Sequence, residues 1–160
     1  IHLGAGEHTL DDAPFDLDPR LRASEVRLVG APGASLRAAG GNATVLRVRA
    51  GAPRLSLLGL LFYSQLAIEG GELYASNCTF SNSSADLGGA LQLSGGELTA
   101  EGTSFVGCSA RRGGAVHAFG GSARFSDCRF QRCSASEVDG GGALLVEGGG
   151  VVVSAIQARP

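Results

Sequence analysis

The stretch Phe80-Ser81-Asn82-Ser83-Ser84-Ala85-Asp86-Leu87-Gly88-Gly89-Ala90-Leu91 decides the fold, because its key residues recur at a nearly constant interval. The aromatic residue returns as Phe105 and Phe130, each 25 positions after the previous one. The Gly-Gly-Ala-apolar element returns at 113–116 and again at 141–144. A fixed period of this size is typical of a repeat architecture in which each unit forms one turn of a coil.

Within each unit, apolar and polar residues alternate with a period of two, as in Leu91-Gln92-Leu93 and Leu98-Thr99-Ala100. Short alternating runs bounded by Gly, Ser, Asn or Asp are the signature of strands. Paired glycines suit the corners between them, where φ is positive or successive backbones approach closely. The sequence therefore predicts an all-β parallel β-helix with about 25 residues per coil and about five or six coils.

Aligning the repeats predicts which residues stack in the interior of the coil. The predicted columns are Leu73, Leu98, Ala123 and Val151; Ala75, Ala100, Phe125 and Val153; Phe80, Phe105 and Phe130; Leu91, Val116 and Leu144; and Leu93, Ala118 and Val146.

We interpret residues 1–160 as a single domain whose regularity increases along the chain. Residues 1–25 form an irregular first coil or cap, 26–69 form coils of variable length, and 70–160 form regular coils. Strand candidates in the less regular part are 26–30, 34–37, 45–48 and 55–62, and a polar loop is expected at 11–20. The last apolar run, 151–156, carries no polar cap, so we expect the C-terminal end to be uncapped and the chain to be a segment of a longer protein.

Composition excludes some classes of partner. The net charge is −2, with 13 arginines against 15 acidic residues, so no basic surface indicates nucleic acid. No apolar run approaches the length of about 18 residues that spans a bilayer, so we expect no membrane insertion in this segment.

The Phe-x-x-small motif followed by Gly-Gly-Ala-(Leu/Val) resembles the repeats of polymorphic outer-membrane proteins and of pectin-lyase-like parallel β-helices generally. The segments 26–30 and 55–62 resemble the opening coils of the pectin-lyase-like superfamily. The resemblance implies a right-handed, single-stranded β-helix. The chain departs from the surface-protein repeat at the third position after each Phe, where Ser83, Cys108 and Cys133 replace the common Asn.

The sequence predicts no catalytic, cofactor-binding or metal-binding residues. Relatives that cleave acidic polysaccharides use clustered Asp with a basic residue, or paired carboxylates. The adjacent pair Asp11-Asp12 lies in the irregular N-terminal loop and is interpreted as a solvated turn. His117 is expected to point outward, exposed and without a carboxylate partner, and so to be neither a ligand nor a base.

Charged residues at one corner of three successive units predict a surface ridge. Its members are Asp86, Arg111, Arg112, Glu137 and Asp139. The simplest interpretation is a solvated turn with ion pairs between coils that contribute little energy.

Four cysteines occupy two equivalent positions of the repeat. Cys78 and Cys128 are two coils apart, too far for a disulfide, whereas Cys108 and Cys133 lie in adjacent coils, within reach of one. Two alternatives remain open: a bridge between Cys108 and Cys133, or four free thiols that act as small core residues.

Three sequons, beginning at Asn42, Asn77 and Asn82, predict N-glycosylation. Together with the disulfide alternative and the resemblance to surface proteins, they favour a secreted or cell-surface location.

Three functions remain as hypotheses. The first is a non-catalytic structural or adhesive module within a larger extracellular surface protein, with other protein segments or surface glycans as partners. The second is a polysaccharide lyase or hydrolase of the pectin-lyase-like type. The third is an intracellular scaffold component, which would leave the sequons bare and the thiols reduced.

Overall fold

The computed structural model describes residues 1–11, 14–40, 43–154 and 156–159. Over these ranges the backbone forms strands, turns and bends, and no helix. The strands in chain order are β1 (His2–Leu3), β2 (Gly6–Leu10), β3 (Phe15–Asp16), β4 (Glu25–Gly30), β5 (Ala34–Ala38), β6 (Thr44–Val48), β7 (Arg54–Leu58), β8 (Leu61–Phe62), β9 (Gln65–Ser76), β10 (Thr79–Ser81), β11 (Ser84–Leu87), β12 (Leu91–Glu101), β13 (Ser104–Val106), β14 (Ser109–Arg112), β15 (Val116–Ala118), β16 (Ser122–Ser126), β17 (Arg129–Gln131), β18 (Ser134–Ala135), β19 (Leu144–Val146), β20 (Gly150–Ser154) and β21 (Gln157–Arg159).

The strands form three parallel sheets that run along the axis of a solenoid of about 6 turns. The largest has 11 strands and is built around the order β1-β4-β7-β9-β12-β15-β19, with β3, β6, β16 and β20 joined at its sides. The second has the order β2-β5-β8-β10-β13-β17-β21, and the third is β11-β14-β18. Neighbours in each sheet belong to successive coils, which confirms the predicted all-β parallel coil.

An aromatic ladder forms the centre of the second sheet. Phe80 pairs with Phe105, and Phe105 pairs with Phe130, as the 25-residue spacing predicts. The ring centroids are 5.2 Å and 4.6 Å apart. Phe62 of the preceding coil extends the stack, with its ring centroid 4.9 Å from that of Phe80. All four rings are almost completely buried, so each removes a large apolar area from water.

The other predicted columns are also observed. Leu73, Leu98, Ala123 and Val151 are aligned across four coils. The columns that begin at Ala75, Leu91 and Leu93 are aligned in the same way. In the last coil two of the columns end in exposed residues, since Val146 is 42% and Val153 46% exposed.

The corners of the coil require backbone conformations that glycine tolerates. Gly113 has φ +61, and a Cβ atom there would lie 3.0 Å from the Cα of His117. Gly96 has φ +82, and its Cβ would lie 2.7 Å from the carbonyl carbon of Gly70 in the preceding coil. The paired glycines therefore serve as corners, as expected, because both the dihedral angle and the spacing between coils exclude a side chain.

The N-terminal coils differ from the expectation in two places. The predicted strand over 55–62 is two strands, β7 and β8, because Gly59 turns the chain with φ +64. The expected polar loop at 11–20 contains a short strand, β3, which pairs with β6 in the large sheet. Leu17, one residue after that strand, is buried and gives the loop an anchor in the core.

Candidate functional site

Charged side chains from three coils meet at the corner before the Gly-Gly-Ala elements. Asp86 lies in β11 and Arg111 in β14, and the register of these strands places the two residues opposite each other. Two hydrogen bonds join them, from Arg111 Nε to Asp86 Oδ1 at 2.9 Å and from Nη2 to Oδ2 at 3.2 Å. The planar guanidinium thus binds the carboxylate in a bidentate manner.

The line of charge continues through Glu137 of the next coil. Arg111 Nη1 lies 3.0 Å from Glu137 Oε1, and Arg112 Nε lies 3.3 Å from Glu137 Oε2. Arg112 then reaches Glu147, with Nη2 2.5 Å from Oε1. We call this connected set the charged ridge: Asp86, Arg111, Glu137, Arg112 and Glu147.

The structure brings together four of the five residues predicted for a ridge and leaves out Asp139. The interval between Gly113 and Gly141 is longer than the standard repeat, and the extra residues form a turn at 138–139. Val138 on this turn is fully exposed, and Asp139 next to it makes no ion pair within the described part of the chain. Glu147, which was not predicted for the ridge, is its fifth member instead of Asp139.

His117 ends the ridge, and the expectation that it is exposed without a carboxylate partner is wrong. Its side chain is 3% exposed, and its Nε2 lies 2.5 Å from Glu147 Oε2. The Phe119 ring packs against it with centroids 5.4 Å apart. His117 and Phe119 lie on the same outer side of the coil, and Glu147 follows the strand stacked on β15, so both Phe119 and Glu147 lie against the imidazole.

The electrostatics of the ridge differ between its two ends. The hydrogen bond from His117, and secondarily Arg112, lowers the pKa of Glu147. At the other end, the hydrogen bond to Asp86 raises the pKa of Arg111. The side chains of Arg111 and Asp86 are 51% and 70% exposed, so solvent screens this pair strongly.

The geometry of His117 does not suit acid-base catalysis. Nε2 is already bound to Glu147, and Nδ1 is buried without a hydrogen-bond partner. A general base needs a nitrogen within hydrogen-bonding reach of a substrate, and neither nitrogen meets that requirement here. The ridge is therefore best described as a line of ion pairs between coils.

A second group of polar residues lies on the outer face of the large sheet, where sequence reasoning did not expect a site. Glu72 and Glu97 are paired residues of adjacent coils. Together with Arg54, Tyr74 and Thr99 they line a depression of about 130 Å³. The signal for this pair is present in the sequence, because each glutamate directly follows a Gly-Gly corner.

Arg54 forms an ion pair with one of these two carboxylates, that of Glu72. Its Nη2 lies 2.7 Å from Glu72 Oε2, and this contact raises the pKa of Arg54. Nearby, the Tyr74 hydroxyl donates a hydrogen bond of 2.7 Å to Glu101, which raises the pKa of Tyr74. Ligand pockets generally enclose about 300–1,000 Å³, so this depression suits contact with an extended surface better than enclosure of a sugar ring.

The four cysteines are free thiols in the structure. Cys78 and Cys128 are buried, and desolvation raises the pKa of each. Cys108 is also buried, whereas Cys133 is half-buried, and the two thiols interact with each other across adjacent coils.

Two of the three predicted glycosylation sites lie at corners of the coil. Asn77 and Asn82 are exposed and have positive φ values of 51° and 52°. Their side chains lie over Gly102 and Gly107 of the next coil, where a Cβ would be 2.7 Å and 2.5 Å from the asparagine Oδ1 atoms. Asn42 lies outside the described residues.

The carboxylate pair Asp11-Asp12 can be placed only in part. Asp11 is an exposed turn residue after β2, and Asp12 lies outside the described residues. Among the residues that the structure describes, no group of three or more His, Cys, Asp or Glu side chains is arranged to hold a metal ion.

Comparison of the chain with protein families, with curated proteins and with solved structures finds no match. Within the described ranges no helix has the length and apolar character needed to cross a membrane. The functional assignment therefore depends on the geometry of the coil and its surfaces.

Proposed function

We propose that this chain is a non-catalytic structural or adhesive β-helix module of a larger extracellular surface protein, related to the pectin-lyase-like and outer-membrane repeat proteins that its motifs resemble. Its partners would be other protein segments or surface glycans, and its location secreted or on the cell surface.

The observation that carries the proposal is the continuous stacking of coils along one axis. The Phe62-Phe80-Phe105-Phe130 ladder joins four successive coils through rings less than about 6 Å apart. The charged ridge joins three coils by ion pairs on the outside. Each coil thus stacks on its neighbours, mainly through the core, which suits a rigid spacer.

The outer face of the large sheet supports a binding role. Polar side chains repeat there at the strand spacing of about 4.8 Å, as in the series of paired residues Tyr74, Thr99 and Arg124. A flat surface of regularly spaced hydroxyl and charged groups favours contact with an extended polymer. Tyr74 adds a ring with a polar tip, a combination that is common at interfaces.

The exposed asparagines support an extracellular location. Asn77 and Asn82 lie at corners outside the sheets, so a glycan there would project into solvent. We would isolate the native protein and compare the masses of its tryptic peptides with and without glycosidase treatment. A glycan on Asn77 or Asn82 is the expected result, and bare asparagines at both positions would favour the intracellular scaffold.

A second function, polysaccharide cleavage, is favoured by one observation, the adjacent carboxylates of Glu72 and Glu97. Retaining glycosidases use two carboxyl groups about 5–5.5 Å apart, and Glu72 and Glu97 project from adjacent parallel strands whose backbones are about 4.8 Å apart. The ion pair between Glu72 and Arg54 opposes it, because it holds that carboxylate away from a substrate.

One experiment separates binding from cleavage. The chain is incubated with polygalacturonate and with a neutral polysaccharide, and bound polymer and new reducing ends are both measured. Binding without new ends is expected. Product formation that disappears in Glu97→Gln but persists in the distant Glu7→Gln control would establish the enzyme instead.

A further inference from the structure

Cys108 and Cys133 face each other across two adjacent coils. Val106 pairs with Gln131 just before them, and Ser109 pairs with Ser134 just after them. The amide of Ser134 donates a hydrogen bond of 3.0 Å to the carbonyl of Cys108. Parallel strands lie about 4.8 Å apart, within the range of about 4.4–6.8 Å over which Cα atoms of bridged cysteines are found.

The two thiols have different environments. Cys108 is completely buried and its Sγ lies 3.6 Å from the carbonyl oxygen of Phe80, whereas Cys133 is half-buried. Interaction with the neighbouring Cys108 thiol lowers the pKa of Cys133 to about 7, and the same interaction, together with burial, raises the pKa of Cys108. Cys133 is thus the less buried and more readily ionised member of the pair, and Cys108 lies at the equivalent position of the adjacent coil.

We propose that Cys108 and Cys133 are a redox-active dithiol, which a small disulfide such as oxidised glutathione converts to a disulfide between coils. This inference rests on the register of β13–β14 against β17–β18 and is independent of the proposed function. It applies whether the chain works inside or outside the cell.

The reaction proceeds in two thiol-disulfide exchanges. The Cys133 thiolate attacks one sulfur of oxidised glutathione, forms a mixed disulfide and releases one glutathione thiolate. The Cys108 sulfur then attacks Cys133 Sγ, which forms the protein disulfide and expels the second glutathione thiolate, and the proton of Cys108 passes to that departing thiolate. The two cysteines lose two protons and two electrons, and oxidised glutathione takes up the electrons as two molecules of the thiol.

The chain contains its own matched control. Cys78 and Cys128 occupy the equivalent position before the Phe strand, but Thr103 stands between them in the intervening coil. Both are buried in the core, and their thiols donate hydrogen bonds to backbone carbonyls. They therefore have neither an adjacent thiol nor ready access for a reagent.

The first test is modification of the folded chain with iodoacetamide at pH 7.5, followed by peptide mapping. Cys133 should react at least about tenfold faster than Cys78 and Cys128, because thiolate character and access both control the rate. A rate for Cys133 equal to that of the buried pair would overturn the proposal.

The second test is incubation with oxidised glutathione, followed by mass spectrometry without reduction. The wild-type chain should lose two hydrogens and yield a peptide pair linking Cys108 to Cys133. Cys108→Ser should instead retain one glutathione on residue 133, and Cys133→Ser should show neither product. Cys78→Ser should behave as wild type.

The wild-type measurement keeps the proposal open to refutation even if a variant fails to fold. A folded wild-type chain that keeps a stable glutathione on Cys133, forms a different bridge, or does not react would overturn it. Circular dichroism of the same samples shows whether the chain is folded.

Discussion

The ring of Phe105 lies parallel to that of Phe80, with centroids 5.2 Å apart and an angle of 7° between the ring planes. Phe130 stacks on its other side, with ring centroids 4.6 Å apart. Phe125 packs edge-on, with its ring centroid 6.3 Å from that of Phe105. Phe105 therefore contacts aromatic rings from both neighbouring coils. Removing it would interrupt the ladder in the middle of the solenoid.

Phe105→Ala should destabilise the chain by about 3–5 kcal/mol, because it leaves a cavity that the stacked coils cannot close. The measurement is urea unfolding followed by far-UV circular dichroism. Phe119→Ala is the matched control, since Phe119 is 43% exposed and should have a much smaller effect. A loss below about 1 kcal/mol for Phe105→Ala would contradict the stacking register.

Gly113→Ala should be markedly destabilising, because residue 113 has φ +61 and its Cβ would press on the backbone of residues 116–117. Substitutions at Gly33 and Gly4 separate the dihedral strain from the steric contact of the added Cβ. Gly33→Ala, with φ +83 and open space around the Cβ, should cost only the dihedral strain of about 1 kcal/mol. Gly4→Ala meets neither obstacle and should be neutral or slightly stabilising. The same unfolding assay should find Gly113→Ala the least stable of the three variants and Gly4→Ala the most stable. A Gly113→Ala variant as stable as Gly33→Ala would refute the close contact.

Glu147 should make stability depend on pH. Its pKa is lower in the folded chain than its ordinary value of 4.5, because His117 and Arg112 stabilise the carboxylate. A group with a lowered folded-state pKa contributes stability above its unfolded pKa and loses it as pH falls through the folded pKa. The stabilisation should be complete above about pH 5 and should fade below about pH 4.

Comparison of wild type with Glu147→Gln from pH 3 to pH 7 measures this effect. The difference in unfolding midpoint should shrink as the pH falls. Glu7→Gln, which removes a more exposed carboxylate 3.7 Å from Arg37, serves as the control and should change the midpoint little. A difference for Glu147→Gln that stays constant with pH would show that ionisation of Glu147 does not stabilise the coil.

The bidentate pair of Asp86 and Arg111 should contribute little despite its good geometry, because both side chains are about half exposed or more. A double-mutant cycle with Asp86→Ala and Arg111→Ala should give a coupling energy close to experimental error at 0.15 M salt. Coupling as large as the effect of Phe105→Ala would show that the ridge, and not the core, holds the coils together.

The interior of the coil was predictable because it follows from spacing alone. Phe80, Phe105 and Phe130 are equally spaced and lie in strands, so any coil that keeps this period must stack them. The break of 55–62 into two strands was harder to predict, because Gly59 is one of many glycines and nothing nearby marks it as a turn. Gly59 has a positive φ because β7 and β8 belong to different sheets, so the chain has to turn between them.

The surface was less predictable, as the two ends of the charged ridge show. Asp86 and Arg111 were expected near each other because they occupy equivalent positions in adjacent repeats. His117 and Glu147 are separated by the longer third repeat, and their contact depends on how that extra turn is accommodated. Burial of His117 also requires Phe119, which lies beside it on the same outer face.

The sequence by itself determined the strand period, the parallel stacking and the identity of the core columns, because these depend on the repeat length and on alternation along each strand. The tertiary structure decided which outward side chains meet: His117 with Glu147, and Arg54 with Glu72. The physical reason is that burial of an interior column is enforced once per coil by the hydrophobic effect. Contacts on the outer face depend instead on the lengths of the turns and on rotamers that no spacing rule specifies.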